Sequence, residues 1–128
     1  FDWNVVETAL AEGVLPMTIS SDLHIYNVNG PVYDLANVLT KFLHLGLSLD
    51  DVLAKVTSVP AQTVLMQDRI GTLKPGSWGD AVIFELCEGS YNLADSGGQV
   101  RTGTRSLEPL TVIKAGRVYR PAGSRGNS

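Results

Sequence analysis

Chemistry in this sequence is concentrated in one short run, Thr18-Ile-Ser-Ser-Asp-Leu-His24. Asp22 directly follows a short β-favouring stretch, Met17-Thr-Ile-Ser20, and directly precedes a loop. A carboxylate at that place can bind a metal through oxygen or take a proton as a base. It can equally cap a helix or close a turn, as aspartates after strands commonly do. His24 stands two residues on, and residues two apart in an extended segment share a side, so it can reach the same cavity. The alternative for His24 is a loop histidine bonded to backbone. His44 is the other histidine, twenty residues away, a spacing that fits no compact zinc motif. Its place at the end of a helical run suits the electrostatics of a helix C-terminus.

The remaining reactive groups point elsewhere. Cys87 is the single cysteine, so no intrachain disulfide can form. It follows the apolar run 81–86 and reads as a buried or strand-end structural thiol in a reducing compartment, the cytoplasm. Gly71-Thr-Leu-Lys-Pro-Gly76 lacks the following helix that a phosphate-binding loop needs. No nucleophile elbow is present.

Chain-wide properties narrow the partners. The 128 residues are 44% hydrophobic, enough for a buried core, and carry a net charge of −3. No basic patch suggests nucleic acid and no cationic run suggests an anionic membrane. No stretch has the roughly 18–20 apolar residues that cross a bilayer.

The elements that must position Asp22 are helical up to about residue 66. Asn4-Val-Val-Glu7 can serve as a capping box, with Val5, Val6, Ala9 and Leu10 on one face and Gly13 as the stop. Met17-Thr-Ile-Ser20 is expected to be a buried parallel strand. The loop from Leu23 to Tyr33 is turn-like but unusually apolar. Asp34 caps the next helix, in which Leu35, Val38, Leu39, Phe42 and Leu43 form the inner stripe before Gly46. Ser48 opens another helix, with Leu49, Val52, Leu53 and Val56 inward. A short one runs from Val59-Pro60 to Met66. Beyond Gln67 the texture is β. Strands are expected at 69–73, 81–86, 99–102 and 110–113, with turns at Lys74-Pro-Gly76, Gly97-Gly98 and Ala115-Gly116. The tail 121–128 is expected to be disordered.

A resemblance sharpens these readings. Leu15-Pro-Met-Thr-Ile-Ser-Ser-Asp-Leu-His24, with Gly30-Pro-Val-Tyr-Asp-Leu35 and Lys41-Phe-Leu-His-Leu-Gly46, resembles the C-terminal part of the amidohydrolase superfamily. It is most similar to the amidohydrolase/deacetylase metallohydrolases related to dihydroorotases. Asp68-Arg-Ile-Gly-Thr-Leu-Lys-Pro-Gly-Ser-Trp-Gly-Asp-Ala-Val-Ile-Phe84 is similar to the segment with which members return to a small β-sandwich. The resemblance implies an α/β fold: residues 1–66 as the last strand and helices of a (β/α)8 barrel, and 67–120 as a β-sandwich segment. It implies one or two divalent metals, commonly zinc, held by a His-x-His pair, a carboxylated lysine, two further histidines and an aspartate ending the eighth strand. Asp22 matches that aspartate, which implies a role as metal ligand and as carrier of the attacking water's proton. His24, Asn27 and Tyr33 lie where substrate contacts are implied, and Asp80 matches an aspartate of turn or strand-start type.

The implied substrate is a small molecule with a non-peptide amide bond. A whole barrel needs roughly 200 or more residues, and the other metal ligands are not in this sequence. Val59 also stands where relatives carry asparagine. The chain is therefore expected to be a C-terminal fragment, inactive without the N-terminal part of the barrel. The alternative from another class is a scaffold or oligomerisation module that kept the fold and lost the chemistry. Folding of the fragment alone as a binding domain is disfavoured by the unpaired edges of a lone barrel strand. Self-association stays open.

Overall fold

In the computed structural model of the chain, residues 1–19 and 34–120 are described. Four helices come first: α1 (Trp3–Ala11), α2 (Leu35–His44), α3 (Leu49–Ala54) and α4 (Ser58–Thr63). Three strands follow: β1 (Ala81–Ala94), β2 (Val100–Lys114) and β3 (Arg117–Tyr119).

Side chains that bond the first free N–H groups set the helix starts. Asp2 accepts from Val5 N at 3.0 Å, Asp34 from Asn37 N at 2.8 Å, and Ser48 from Asp51 N at 3.1 Å. The first of these corrects the expected Asn4 cap. With the start moved to Asp2, Trp3 leads the buried face, whereas Val5 is 67% exposed and only Val6 packs against the core. Trp3 decides the matter, because its ring has a buried place on the sheet and Val5 has none. The α2 stripe is buried except for Leu35, 39% exposed at its first position, and Gly46 (φ +101°) follows its end. Helix α4 stops at Thr63, short of Met66, where Val64 and a left-handed Leu65 (φ 60°) turn the chain.

Two expected strands are absent among the described residues. Residues 69–73 form turns, with Arg69 N and Ile70 N both donating to the Met66 carbonyl. Gly71 explains this: its φ is +70°, and a Cβ there would lie 2.5 Å from the Thr57 carbonyl oxygen, a fit open only to glycine. Over residues 17–19 a parallel strand would need neighbours on both sides. The expected strand runs on into residues that are not described; among the described residues the backbone bond found over 17–19 runs from Ile19 N to Lys55 O, 3.0 Å.

Elsewhere the β region is more continuous than its sequence pattern. β1 and β2 pair antiparallel from Ala81↔Ile113 to Ala94↔Val100, with irregularities between Ile83 and Phe84 and between Glu88 and Tyr91. The runs 99–102 and 110–113 are thus parts of one strand. Ala115 (φ 50°) and Gly116 (φ 77°) make the two-residue turn into β3, with both central residues left-handed as a type I′ hairpin requires. Lys74-Pro-Gly76 is the expected turn, closed by Ser77 N to Lys74 O at 3.1 Å with Gly76 at φ +92°. Asp80 is confirmed at the strand start, accepting from Ala115 N (2.9 Å) and Lys114 Nζ (3.1 Å).

Helix α2 lies on β2 and carries the core. Ile19, Val38, Leu39, Phe42, Leu43, Val52 and Leu107 are buried together, with Phe1, Val6 and Phe84 among the half-buried residues packed around them. Thr40 ties the two layers: its hydroxyl accepts from Leu107 N (3.0 Å) and donates to Ala36 O (2.8 Å).

The hairpin tip is tied to the other end of the sequence. The buried Asp95 carboxylate accepts from Gly97 N and Gln99 N, which shapes the β1–β2 turn, and from Trp3 N at 3.0 Å. The Trp3 indole then donates to Leu93 O (3.1 Å), and Ser96 holds the Phe1 carbonyl. The Trp3 N–H, followed by those of Gln99 and Gly97, holds the Asp95 carboxyl below the ordinary aspartate range. A depressed carboxyl pKa adds stability above the unfolded value, about 3.9, and that stability is lost as pH falls through the folded value. Acid unfolding should therefore show a contribution below about pH 4 that Asp95→Asn removes. Urea melts of both proteins between pH 5 and pH 3 check this, and parallel pH profiles would exclude it.

Candidate functional site

Asp22, His24, Asn27 and Tyr33 lie outside the described residues, as does the tail 121–128. The structure therefore describes what flanks the candidate segment on either side.

On the upstream side the chain is held close to the Asp22 run. The Ile19 side chain is buried in the core and its N–H donates to Lys55 O. The Lys55 ammonium donates to Pro16 O at 2.7 Å. Lys55 is the C-cap of α3, so a helix end supports the approach to Asp22. On the downstream side Asp34 starts α2, whose inner face is buried almost throughout. Both flanks thus rest on the same helical layer.

Beside the start of α2 lies a cavity of about 90 Å³ lined by Asp34, Ala36, Asn37, Ser106, Leu107 and Glu108. Ser106 Oγ donates to Glu108 Oε1 at 2.7 Å on its β2 side. The wall is polar, with two carboxylates and an amide, and nothing in the sequence pattern pointed to it.

Other titratable groups serve the fold. His44 ends α2, as expected, and its ring meets the edge of Trp3 at 5.4 Å between centroids. Arg101 lies over the Trp3 ring at 5.0 Å and forms a paired contact with Glu7, 2.8 and 3.3 Å. That contact raises the guanidinium pKa and lowers the Glu7 carboxyl. Lys41 is fully buried near the Phe1 ring, and burial lowers its ammonium pKa while Asp95 opposes the shift. Cys87 is buried, as expected of a structural thiol. Among the described residues no three His, Cys, Asp or Glu side chains gather where they could hold a metal ion. These residues therefore do not make a metal site by themselves. Nor is any helix among them long and apolar enough to cross a membrane.

Sequence reasoning missed Asp95, Trp3 and Lys55. The Asp95-Ser-Gly-Gly run carried a signal, since an aspartate two before a glycine commonly bonds its own turn. For Lys55 the sequence offers none, because a lysine at a helix end looks like any solvated cation.

Residues 2–119 match the Amidohydrolase family. A deacetylase of Enterococcus faecalis is 37% identical over 120 residues, covering 93% of this chain and 32% of its own length. A deacetylase of Agrobacterium fabrum is 37% identical over 113 residues, covering 88% of this chain and 28% of its own. Among solved structures, that of an adenine deaminase superposes with a TM-score of 0.88 at 36% identity, covering 94% of this chain and 33% of that one. A dihydroorotase structure gives 0.84 at 32% identity, covering 94% and 32%. This chain spans about a third of the length of these relatives.

Proposed function

This chain belongs to the amidohydrolase family, and on that premise we propose that it is the C-terminal part of a metal-dependent hydrolase acting on a non-peptide C–N bond, of deacetylase or cyclic-amidase type. The observation that carries this reading is the 37% identity to deacetylases across 120 residues, nearly the whole chain. The helices are those of the end of a (β/α)8 barrel, and the β1–β3 sheet belongs to a small sandwich beside it. The missing ligands and the rest of the barrel lie in a longer protein. The compartment proposed is the cytoplasm, in keeping with a sequence that holds a single cysteine, buried and outside any disulfide.

In this reading the run 17–20 becomes the last barrel strand when it pairs with neighbours in the longer protein, and Asp22 just after it is the chain's contribution to the metal site. A divalent ion, zinc by preference, supplies the positive charge that acidifies water and polarises a carbonyl. The Asp22 carboxylate orients the attacking water, takes its proton, and returns that proton to the leaving nitrogen, acting as base and then acid. His24, Asn27 and Tyr33 contact the substrate from the loop that follows. The buried Ile19 and the capped start of α2 give that loop fixed ends.

The test uses the complete reading frame. The longer protein should bind about one or two zinc equivalents and release acetate from N-acetyl amino compounds or open a cyclic amide. A full-length protein without bound metal would sink the proposal.

A further inference from the structure

We draw no further inference here: the strongest candidate, the polar cavity of about 90 Å³ between the start of α2 and β2, rests on two carboxylates beside a helix N-terminus with no second observation that points to a ligand, since Asn37, whose Oδ1 lacks a hydrogen-bond partner, is only partly buried.

Discussion

Asp22→Asn in the complete protein is expected to lower kcat about 10²–10⁴-fold, the range for losing a positioned acid–base group. Asparagine has nearly the same shape, but its amide neither takes up nor releases a proton in the working pH range. The acid side of the pH–rate profile should change with it. If Asp22 is the base, wild-type activity should fall at low pH as that carboxylate takes up a proton, with the rate following the deprotonated fraction. The variant lacks that titration, and its residual rate should be flat over the same window. Measuring kcat, bound zinc and thermal stability together separates the outcomes. A large kcat loss with unchanged melting supports the assigned role. A kcat within about threefold of wild type removes Asp22 from the chemistry, because even a modest acid–base contribution exceeds that.

Trp3→Ala should cost about 3–5 kcal/mol of folding stability, as expected for truncating a fully buried aromatic ring. Trp3 has 0% exposure and touches parts of the fold distant in sequence. Phe1 meets its ring edge-on at 5.1 Å, His44 does so at 5.4 Å, and the Arg101 guanidinium covers its face. Its indole N–H reaches Leu93 O, and its backbone N–H reaches Asp95. Small domains have about 5–15 kcal/mol of stability in all, so this loss takes a large share of it. Trp3→Phe separates packing from hydrogen bonding: it keeps a ring but removes the indole's bond to the Leu93 carbonyl, a cost of about 0.5–1.5 kcal/mol. Urea unfolding of both variants is the measurement. An alanine variant within about 1 kcal/mol of wild type would show that the site collapses around the gap, contrary to this account.

The helical half was readable because its signals are local. Asp34, Ser48, Gly13 and Gly46 act within one turn of their own positions, and the α2 stripe follows from its 3.6-residue period. The Ala115-Gly116 and Lys74-Pro-Gly76 turns were readable for the same reason. What escaped depends on partners far along the chain. Asn4 heads a better capping box than Asp2 in isolation, yet a ring that must dock near Leu93 starts the helix two residues earlier. The run 69–73 has strand composition, but Gly71 meets the backbone at Thr57, which no local pattern records. Residues 99–102 and 110–113 looked like separate strands, because the stretch between them, with Gly103 and Pro109, breaks the alternation that one register nevertheless spans. Of the candidate site the sequence offered one residue, Asp22, which lies outside the described residues. Its family context came from the Ser-Ser-Asp-Leu-His run, and Lys55 carried no signal at all.

The bond from Trp3 to Asp95 also bears on the order of events during synthesis. The two residues are 92 apart in sequence. A ribosome adding roughly 5–20 residues per second needs roughly 5–20 s to pass from one to the other. Throughout that interval the most deeply buried ring of the fold has been made and its docking place has not. The β1–β2 hairpin, by contrast, closes on itself and can pair as soon as it emerges. Trp3 is thus made well before the residues it docks against, and is among the last of the described residues to settle.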